Sequence, residues 1–245
     1  MENKEIDLLN ENPMSYSNIY FSNEDNVFWH ITKIKEYLTK FQDEKSKKAD
    51  LQNINYKNIM NEYIQPYKEG DILIYDNKID QKIIQNIKYN MLPKCTWTIQ
   101  GPSKGVDDVP VFFKFNLENN KYFQSLFYNY IIPNIEYKNK DKLRIVRNYI
   151  NLNIAGLPGY WHKDGPGLGP TILIYLNDNW NTTWAGQTAF YTDRNNLDIK
   201  YIDVKPGRIV IFKPSLEHMA CDLSVYALTK NIFRYTLAYH TYYEF

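Results

Sequence analysis

The chain has 245 residues and lacks several features that would assign it to a class at once. It has only two cysteines, Cys95 and Cys221, so no disulfide framework holds the fold together. The 29 basic and 28 acidic residues nearly cancel, so bulk electrostatics predict neither a nucleic-acid nor a membrane partner. No apolar run is long enough to span a bilayer, no internal repeat is present, and the polar N-terminus is unlike a secretory signal. We therefore expect a cytoplasmic protein with reduced thiols.

The hydrophobic pattern changes character at about residue 142. Before it, apolar residues recur mostly at helical spacing, which predicts helices over 27–41, 58–64, 79–87 and 122–130 and short strands over 72–75 and 109–115. After it, runs rich in β-formers predict strands over 143–154, 171–176, 187–191, 200–204, 208–212, 217–223 and 231–242. This order predicts an α+β fold, in which a double-stranded β-helix (a jelly-roll, cupin-like core) is supported by mostly N-terminal helices. We divide the chain into a helical extension of unknown role, 1–70, and a domain, 71–245, with its core at 142–245.

One predicted strand carries a row of polar residues. Alternation along 143–154 places Arg147, Tyr149, Asn151 and Asn153 on one face and mainly apolar residues on the other. Polar side chains on a buried strand need partners, which an internal polar cavity would supply. A solvent-facing edge strand is the alternative.

Three side chains with metal-ligand chemistry follow this strand. His162 and Asp164 come soon after it, and His218 lies on a later strand-like segment. Two histidines and one carboxylate form the facial triad that holds iron(II) and leaves three coordination positions open. A His-x-Asp triplet alone arises often by chance, so the surrounding sequence has to support it.

The last predicted strand contains a cation that needs a partner. Its alternation places Arg234, Thr236 and His240 on one face, and no acidic residue shares the strand. A buried guanidinium is best satisfied by a carboxylate, which a bound ligand could bring, and Thr236 could add a hydroxyl donor. A structural ion pair with an aspartate elsewhere in the chain is the alternative.

The stretch from Arg147 to Tyr239 resembles the iron(II)- and 2-oxoglutarate-dependent oxygenases, especially their prolyl 4-hydroxylase-like branch. The matching pieces stand in family order: Gly159 to Asp164, Ile172 to Asn177, Trp184 to Thr188, Lys205 to Phe212, Ser215 to His218, and Arg234 to Thr236.

The chain also departs from this branch. Ala185 and Gln187 stand where the branch usually has glycine and often has glutamate. Arg234 follows His218 by sixteen residues, further than in most prolyl hydroxylases, so Lys230 is a competing anchor for 2-oxoglutarate. The segment Arg234 to His240 is also similar to the nucleic-acid demethylating branch, which has a second arginine where this chain has histidine.

The resemblance implies a dioxygenase that uses Fe(II), 2-oxoglutarate and O₂, with ascorbate as a further candidate cofactor, and releases succinate and CO₂. The implied metal ligands and catalytic centre are His162, Asp164 and His218. The implied co-substrate residues are Arg234, Thr236, Asn151, Asn153 and Tyr149. The candidate substrate residues are Tyr160, Trp161, Trp180 and Trp184. The substrate expected first is a peptidyl, prolyl side chain. The alternatives are a small metabolite, a nucleic acid, or a non-catalytic cupin-like binding module.

Overall fold

The structure is a computed structural model that describes residues 68–100, 112–164 and 169–244. The helices predicted over 27–41 and 58–64 lie outside the described residues, as does nearly all of the predicted extension 1–70. The division of the chain at residue 70 therefore stays a prediction.

The described residues form ten strands and four short α-helices. The strands are β1 (Ile72–Tyr75), β2 (Thr98–Gln100), β3 (Phe112–Asn116), β4 (Leu143–Asn153), β5 (Thr171–Tyr175), β6 (Thr188–Asp193), β7 (Asp198–Ile202), β8 (Ile209–Phe212), β9 (His218–Ala220) and β10 (Arg234–Tyr243). The α-helices are α1 (Gln81–Asn86), α2 (Lys121–Ser125), α3 (Ile132–Asn134) and α4 (Val225–Thr229). Further turns are π-helical at Ile87–Met91 and Leu126–Ile131, and 3₁₀-helical at Leu92–Lys94, Lys140–Lys142 and Thr182–Trp184.

The strands pair antiparallel in two sheets. The larger sheet has the order β1-β8-β5-β10-β4-β3-β2, and the smaller has the order β7-β6-β9. Side chains from both sheets, among them Leu173, Phe190 and Phe212, meet in one apolar cluster, so the sheets pack face to face. This arrangement confirms the predicted double-stranded β-helix. β4 lies between β10 and β3, so the edge-strand alternative for β4 is wrong.

The outer face of the larger sheet packs against the helical turns. Ile150, Leu237 and Tyr239 share one buried cluster with Phe123 and Phe127 of the helical segment. The Tyr239 hydroxyl donates to the Phe123 carbonyl at 2.8 Å, which fixes the helix on the sheet. Strand alternation thus sends one set of side chains to the helices and the other set into the space between the sheets.

Several predicted boundaries differ from the structure. The strand predicted over 217–223 is confined to β9, and the strand predicted over 231–242 begins only at Arg234. Between them lies α4, which was not predicted. Ser224 caps this helix by accepting a hydrogen bond from the Ala227 amide at 3.2 Å, and Asn231 (φ 53°) follows it in a left-handed conformation. β2 was also not predicted.

Other elements follow the prediction more closely. β1 occupies the predicted residues, and the helix predicted over 79–87 begins at Gln81, where Asp80 caps the Lys82 amide. None of the helices in the described part of the chain combines the length and the apolar character needed to cross a bilayer.

Candidate metal centre

The three predicted metal ligands lie together. Single ligand atoms of His162, Asp164 and His218 all fall within 4.8 Å of one another. The Nε2 atoms of the two imidazoles lie 3.7 Å from different Asp164 oxygens. The backbone causes this convergence, because His162 and His218 exchange both amide–carbonyl hydrogen bonds, at 3.0 and 2.8 Å. Their side chains therefore start from directly opposed positions on two paired backbone segments, and they can bind the same ion.

Backbone carbonyls set the orientation of both imidazoles. The Nδ1 atoms of His162 and His218 lie 2.8 and 2.9 Å from the carbonyl oxygens of Tyr160 and Leu216, two residues earlier in each case. Donation from Nδ1 leaves the Nε2 lone pair free for a metal, which is how ligating histidines are usually oriented. Removal of water around His162, helped by nearby His218, lowers the pKa of His162 to about 4. At neutral pH this imidazole is therefore in its ligand form.

Asp164 is held as a carboxylate. Burial acts to raise its pKa, but His240, His218 and His162 together with a hydrogen bond from Thr171 outweigh that effect and hold the pKa well below its usual range. The Thr171 hydroxyl donates to Asp164 Oδ2 at 2.7 Å. Thr171 was not predicted as a functional residue, although the alternation of β5 would have placed it on the inner face.

Arg234 is buried in the same inter-sheet space, with 2% of its surface exposed. Its Nη1 and Nη2 donate to Asn153 Oδ1 and Thr188 Oγ1, each at 2.8 Å, and its Nε has no hydrogen-bond partner. Across the described ranges, no carboxylate forms an ion pair with Arg234, so the predicted alternative of a structural ion pair is not found there. A desolvated guanidinium without a counter-charge is costly, and a ligand carboxylate would compensate it.

Tyr175 and Thr188 also surround Arg234, and the sequence analysis did not identify either of them as a functional residue. The Tyr175 ring lies 5.3 Å from the Arg234 guanidinium, and its hydroxyl lies 2.7 Å from Thr188 Oγ1. Both belong to the inner-facing series of their strands, so strand phase was the available signal. Lys230, the competing anchor, is exposed after α4, with its Nζ 6.0 Å from the centre of the Tyr226 ring. This placement favours Arg234.

The remaining predicted co-substrate residues form a strip on the inner face of β4 and β10. Thr236 is buried and pairs with Asn151, whose buried Oδ1 has no hydrogen-bond partner. Tyr149 lies further along, where its hydroxyl is 2.8 Å from Nε2 of His240. The strip thus runs from Arg234 to His240, and Tyr149 lies at the end away from Arg234.

The four predicted substrate residues lie in different places. The Tyr160 ring is 5.0 Å from the His162 ring, beside the metal ligands. Trp161 packs on Tyr191 of the smaller sheet, with ring centres 4.1 Å apart. Trp180 and Trp184 form an edge-to-face pair at 5.3 Å.

Of the two tryptophans after β5, Trp180 lies near Gly186 and Arg234, and Trp184 packs on Trp180. A Cβ built on Gly186 would come within 3.2 Å of Trp180 and 3.3 Å of Arg234, and its φ of 78° also favours glycine at this position. Ala185, at the position where the resemblance leads one to expect glycine, has a φ of 57°, which glycine would adopt more easily.

In sequence, the chain matches no protein-family model and no curated protein. In structure, it is similar to an oxidoreductase of the 2OG-Fe(II) oxygenase family from Burkholderia pseudomallei, with a TM-score of 0.53, 12% identity, and 71% of this chain and 86% of that chain covered. It is similar to a prolyl hydroxylase from Trichoplax adhaerens in complex with a hypoxia-inducible factor oxygen degradation domain peptide, with a TM-score of 0.54, 16% identity and coverages of 83% and 94%.

A third structure has a different kind of reaction in its name. The non-heme alpha-ketoglutarate-dependent carbocyclase SnoK of nogalamycin biosynthesis has a TM-score of 0.52, 13% identity and coverages of 78% and 84%. Likenesses at such low identity establish the fold. The chain therefore has the double-stranded β-helix fold of the 2OG-Fe(II) oxygenases, and its His-Asp-His cluster could bind iron.

Proposed function

We propose that this protein is an Fe(II)- and 2-oxoglutarate-dependent dioxygenase that hydroxylates a C–H bond of its substrate. The observation that carries the proposal is that a cluster of metal-ligand side chains and a buried guanidinium without a carboxylate partner lie in one inter-sheet space. The His162, Asp164 and His218 cluster presents the ligand atoms of a facial triad. Arg234 is buried without a carboxylate partner among the described residues. A metal ion would bind to the cluster, and a dicarboxylate co-substrate would pair with Arg234.

The residues present fit these groups. His162, Asp164 and His218 would hold Fe(II), and Arg234 and Thr236 would hold the far carboxylate of 2-oxoglutarate, with Asn153 and Thr188 orienting the guanidinium. When bound, iron and co-substrate supply the oxidising chemistry, in which O₂, 2-oxoglutarate and a substrate C–H bond give succinate, CO₂ and a C–OH bond. Ascorbate is a further predicted cofactor.

The protein holds the metal ligands and Arg234 in their binding orientations before the ion and the co-substrate bind. The carbonyls of Tyr160 and Leu216 hold the imidazoles with Nε2 inward, and Thr171 holds one carboxylate oxygen of Asp164. Such supporting contacts raise metal affinity because the ligands need no reorganisation on binding. Burial of Arg234 strengthens its attraction for a carboxylate, since little water competes.

For the substrate, we propose a peptidyl side chain, with proline as the first choice. Support comes from the prolyl 4-hydroxylase-like motifs and from Tyr160, which would form one wall beside His162. Small metabolites and nucleic acids are the alternative oxygenase substrates. The cytoplasmic location also stays a prediction.

The test of the oxygenase proposal is 2-oxoglutarate turnover. The wild-type protein, supplied with Fe(II), 2-oxoglutarate and O₂, should form succinate and bind Mn(II) as an inert substitute. His218→Ala should abolish both, while Lys200→Ala, an exposed change on the smaller sheet, should affect neither. Thermal unfolding should show that both variants are folded.

Unchanged turnover in His218→Ala would overturn the triad. Binding of metal and 2-oxoglutarate without turnover under any condition would favour the cupin-like binding module. Mass spectrometry of proline-rich peptides should show a gain of one oxygen atom. If only a free metabolite or a nucleobase is modified, the prolyl assignment is wrong while the oxygenase assignment stands.

A further inference from the structure

Three basic side chains and one tyrosine border the candidate metal centre on the side away from Arg234. We call Lys114 of β3, Arg147 and Tyr149 of β4, and His240 of β10 the basic wall. Arg234 and His240 are six residues apart, a distance of about 20 Å along an extended strand. The Nε2 atom of His240 lies 3.9 Å from Asp164 Oδ1, so the wall begins beside the metal ligands.

The Tyr149 ring organises the wall. The Lys114 Nζ lies 4.0 Å from the centre of this ring, and the Arg147 guanidinium lies 5.5 Å from it. The Tyr149 hydroxyl is 2.8 Å from His240 Nε2, and an Arg147 nitrogen is 3.5 Å from the same atom. Cations favour the face of an aromatic ring, so Tyr149 keeps two positive groups close together in spite of their repulsion.

Lys114 carries no ion pair with any described carboxylate. Burial, reinforced by neighbouring Arg147, lowers the pKa of Lys114 to about 7, and Glu118 opposes this only in part. Lys114 is half-buried and close to a second cation, so an anion would stabilise its charged form. The wall therefore favours the binding of a negative group.

Asn151 adds an independent sign of a ligand. It pairs directly with Lys114 across β3 and β4, and its buried Oδ1 has no hydrogen-bond partner. A buried acceptor left unpaired costs free energy that a donor on a bound molecule would recover. A carboxylate with a neighbouring hydroxyl or amine group would satisfy Lys114 and Asn151 together.

We infer that the basic wall binds a carboxylate of the primary substrate and so positions that substrate beside the metal centre. The inference rests on the proposed oxygenase function and narrows its substrate class. Arg234 already provides a site for the far carboxylate of 2-oxoglutarate, so the wall is a second anion site on the same face of the larger sheet. The carboxylate could belong to a free amino or hydroxy acid, or to an acidic residue next to the modified residue of a peptide.

The first experiment measures binding without activity. The Mn(II)- and 2-oxoglutarate-loaded protein is given a brief pulse of an amine-acylating reagent at pH 7, and modification of each lysine is quantified by peptide mass spectrometry. The probes are the free amino acids, short hydroxy and dicarboxylic acids, and proline peptides with or without a flanking Asp or Glu. Methyl esters of the same acids are the neutral controls.

We expect at least one carboxylate probe to protect Lys114 several-fold, while its ester does not and exposed Lys200 reacts equally throughout. Protection by free acids alone identifies a metabolite, and protection by acidic peptides alone identifies a peptide. Absence of protection by every carboxylate probe, or equal protection by the esters, would overturn the inference.

The second experiment uses variants in the succinate assay with the protecting probe as substrate. Lys114→Met should raise KM for that probe about tenfold or more, as expected for a lost hydrogen bond to a charged group. Lys114→Arg should restore most of the affinity, and Lys200→Met should match wild type. A rise in KM for 2-oxoglutarate instead would show that the wall holds the co-substrate. The inference would then fail while the oxygenase proposal stands, whereas absence of wild-type 2-oxoglutarate turnover would count against the oxygenase proposal itself.

Discussion

The two faces of β10 are almost equally buried over Arg234 to Tyr239 but opposite in chemistry. On the outer face, Leu237 and Tyr239 are 0% exposed, and on the inner face Arg234 and Thr236 are 2% and 1% exposed. The outer side chains pack against apolar helical turns, whereas the inner ones face a space in which a guanidinium nitrogen and an amide oxygen lack partners. The outer face therefore stabilises the fold through apolar packing, and the inner face presents polar groups that can bind ligands. Substitutions on one strand should separate these two roles.

The largest effect is expected on the inner face. Arg234→Met should raise KM for 2-oxoglutarate by a factor that corresponds to about 2–5 kcal/mol, because a buried, hydrogen-bonded charge pair with the co-substrate is lost. Lys230→Met, at the exposed competing position, is the control and should change KM little. Succinate formation at varied 2-oxoglutarate concentration measures both, and the opposite ranking would move the anchor to Lys230.

The matching change on the outer face is Leu237→Ala, three residues along the same strand. It should lower the free energy of unfolding by about 2–5 kcal/mol through lost burial and a cavity. KM for 2-oxoglutarate in the folded fraction should stay near wild type. Urea unfolding measures the loss, with Leu228→Ala, at a 54% exposed leucine, as the control. A large rise in KM without destabilisation would show that the two faces do not divide the roles in this way.

A smaller effect is expected where the inner face supports a metal ligand. Thr171→Val keeps the shape but removes the hydrogen bond to Asp164, and it should weaken Mn(II) binding about tenfold. Thr171→Ser should recover most of the affinity. Titration with Mn(II) would test this, and equal affinity in the valine variant would show that Thr171 does not contribute to the site.

The smallest effect concerns the edge of the larger sheet. Arg208 of the β8 segment donates from Nε and Nη2 to Asp76, at 2.7 and 2.8 Å, and thereby ties the end of β1 to β8. This hydrogen bonding lowers the pKa of Asp76 to about 2. Because the folded-state pKa lies below the unfolded value of about 4, the contribution is complete above pH 4 and disappears as pH falls through 2. Asp76 is also accessible to water, so the contribution is below about 1 kcal/mol.

Asp76→Asn should accordingly be slightly less stable than wild type at pH 7, and the difference should vanish near pH 2. Urea unfolding at several pH values provides the measurement. A difference that is constant with pH would mean that the effect is not electrostatic.

Parts of the site could be predicted from local pattern alone. His162 and Asp164 stand in a recognisable motif, and alternation was sufficient to place Arg147 and Asn153 on one face of a strand. The segment between His218 and Arg234 shows where this reasoning fails. Val225 and Leu228 are apolar but exposed on α4, and this unpredicted helix fills the gap between the strands predicted over 217–223 and 231–242, because Ser224 and Asn231 provide local cap and stop geometry.

By itself, the sequence determined the approximate positions of most strands along the chain, the side of β4 and β10 on which the functional polar residues lie, and the identity of the candidate metal ligands. Only the tertiary structure decided which side chains meet across strands. Lys114 reaches the Tyr149 ring and Tyr175 lies beside Arg234 because antiparallel pairing sets the register between strands distant in the chain. Thr188 reaches Arg234 because the two sheets pack face to face. Alternation within one strand specifies a face but not a neighbour, so these contacts depend on how whole strands align in the sheets.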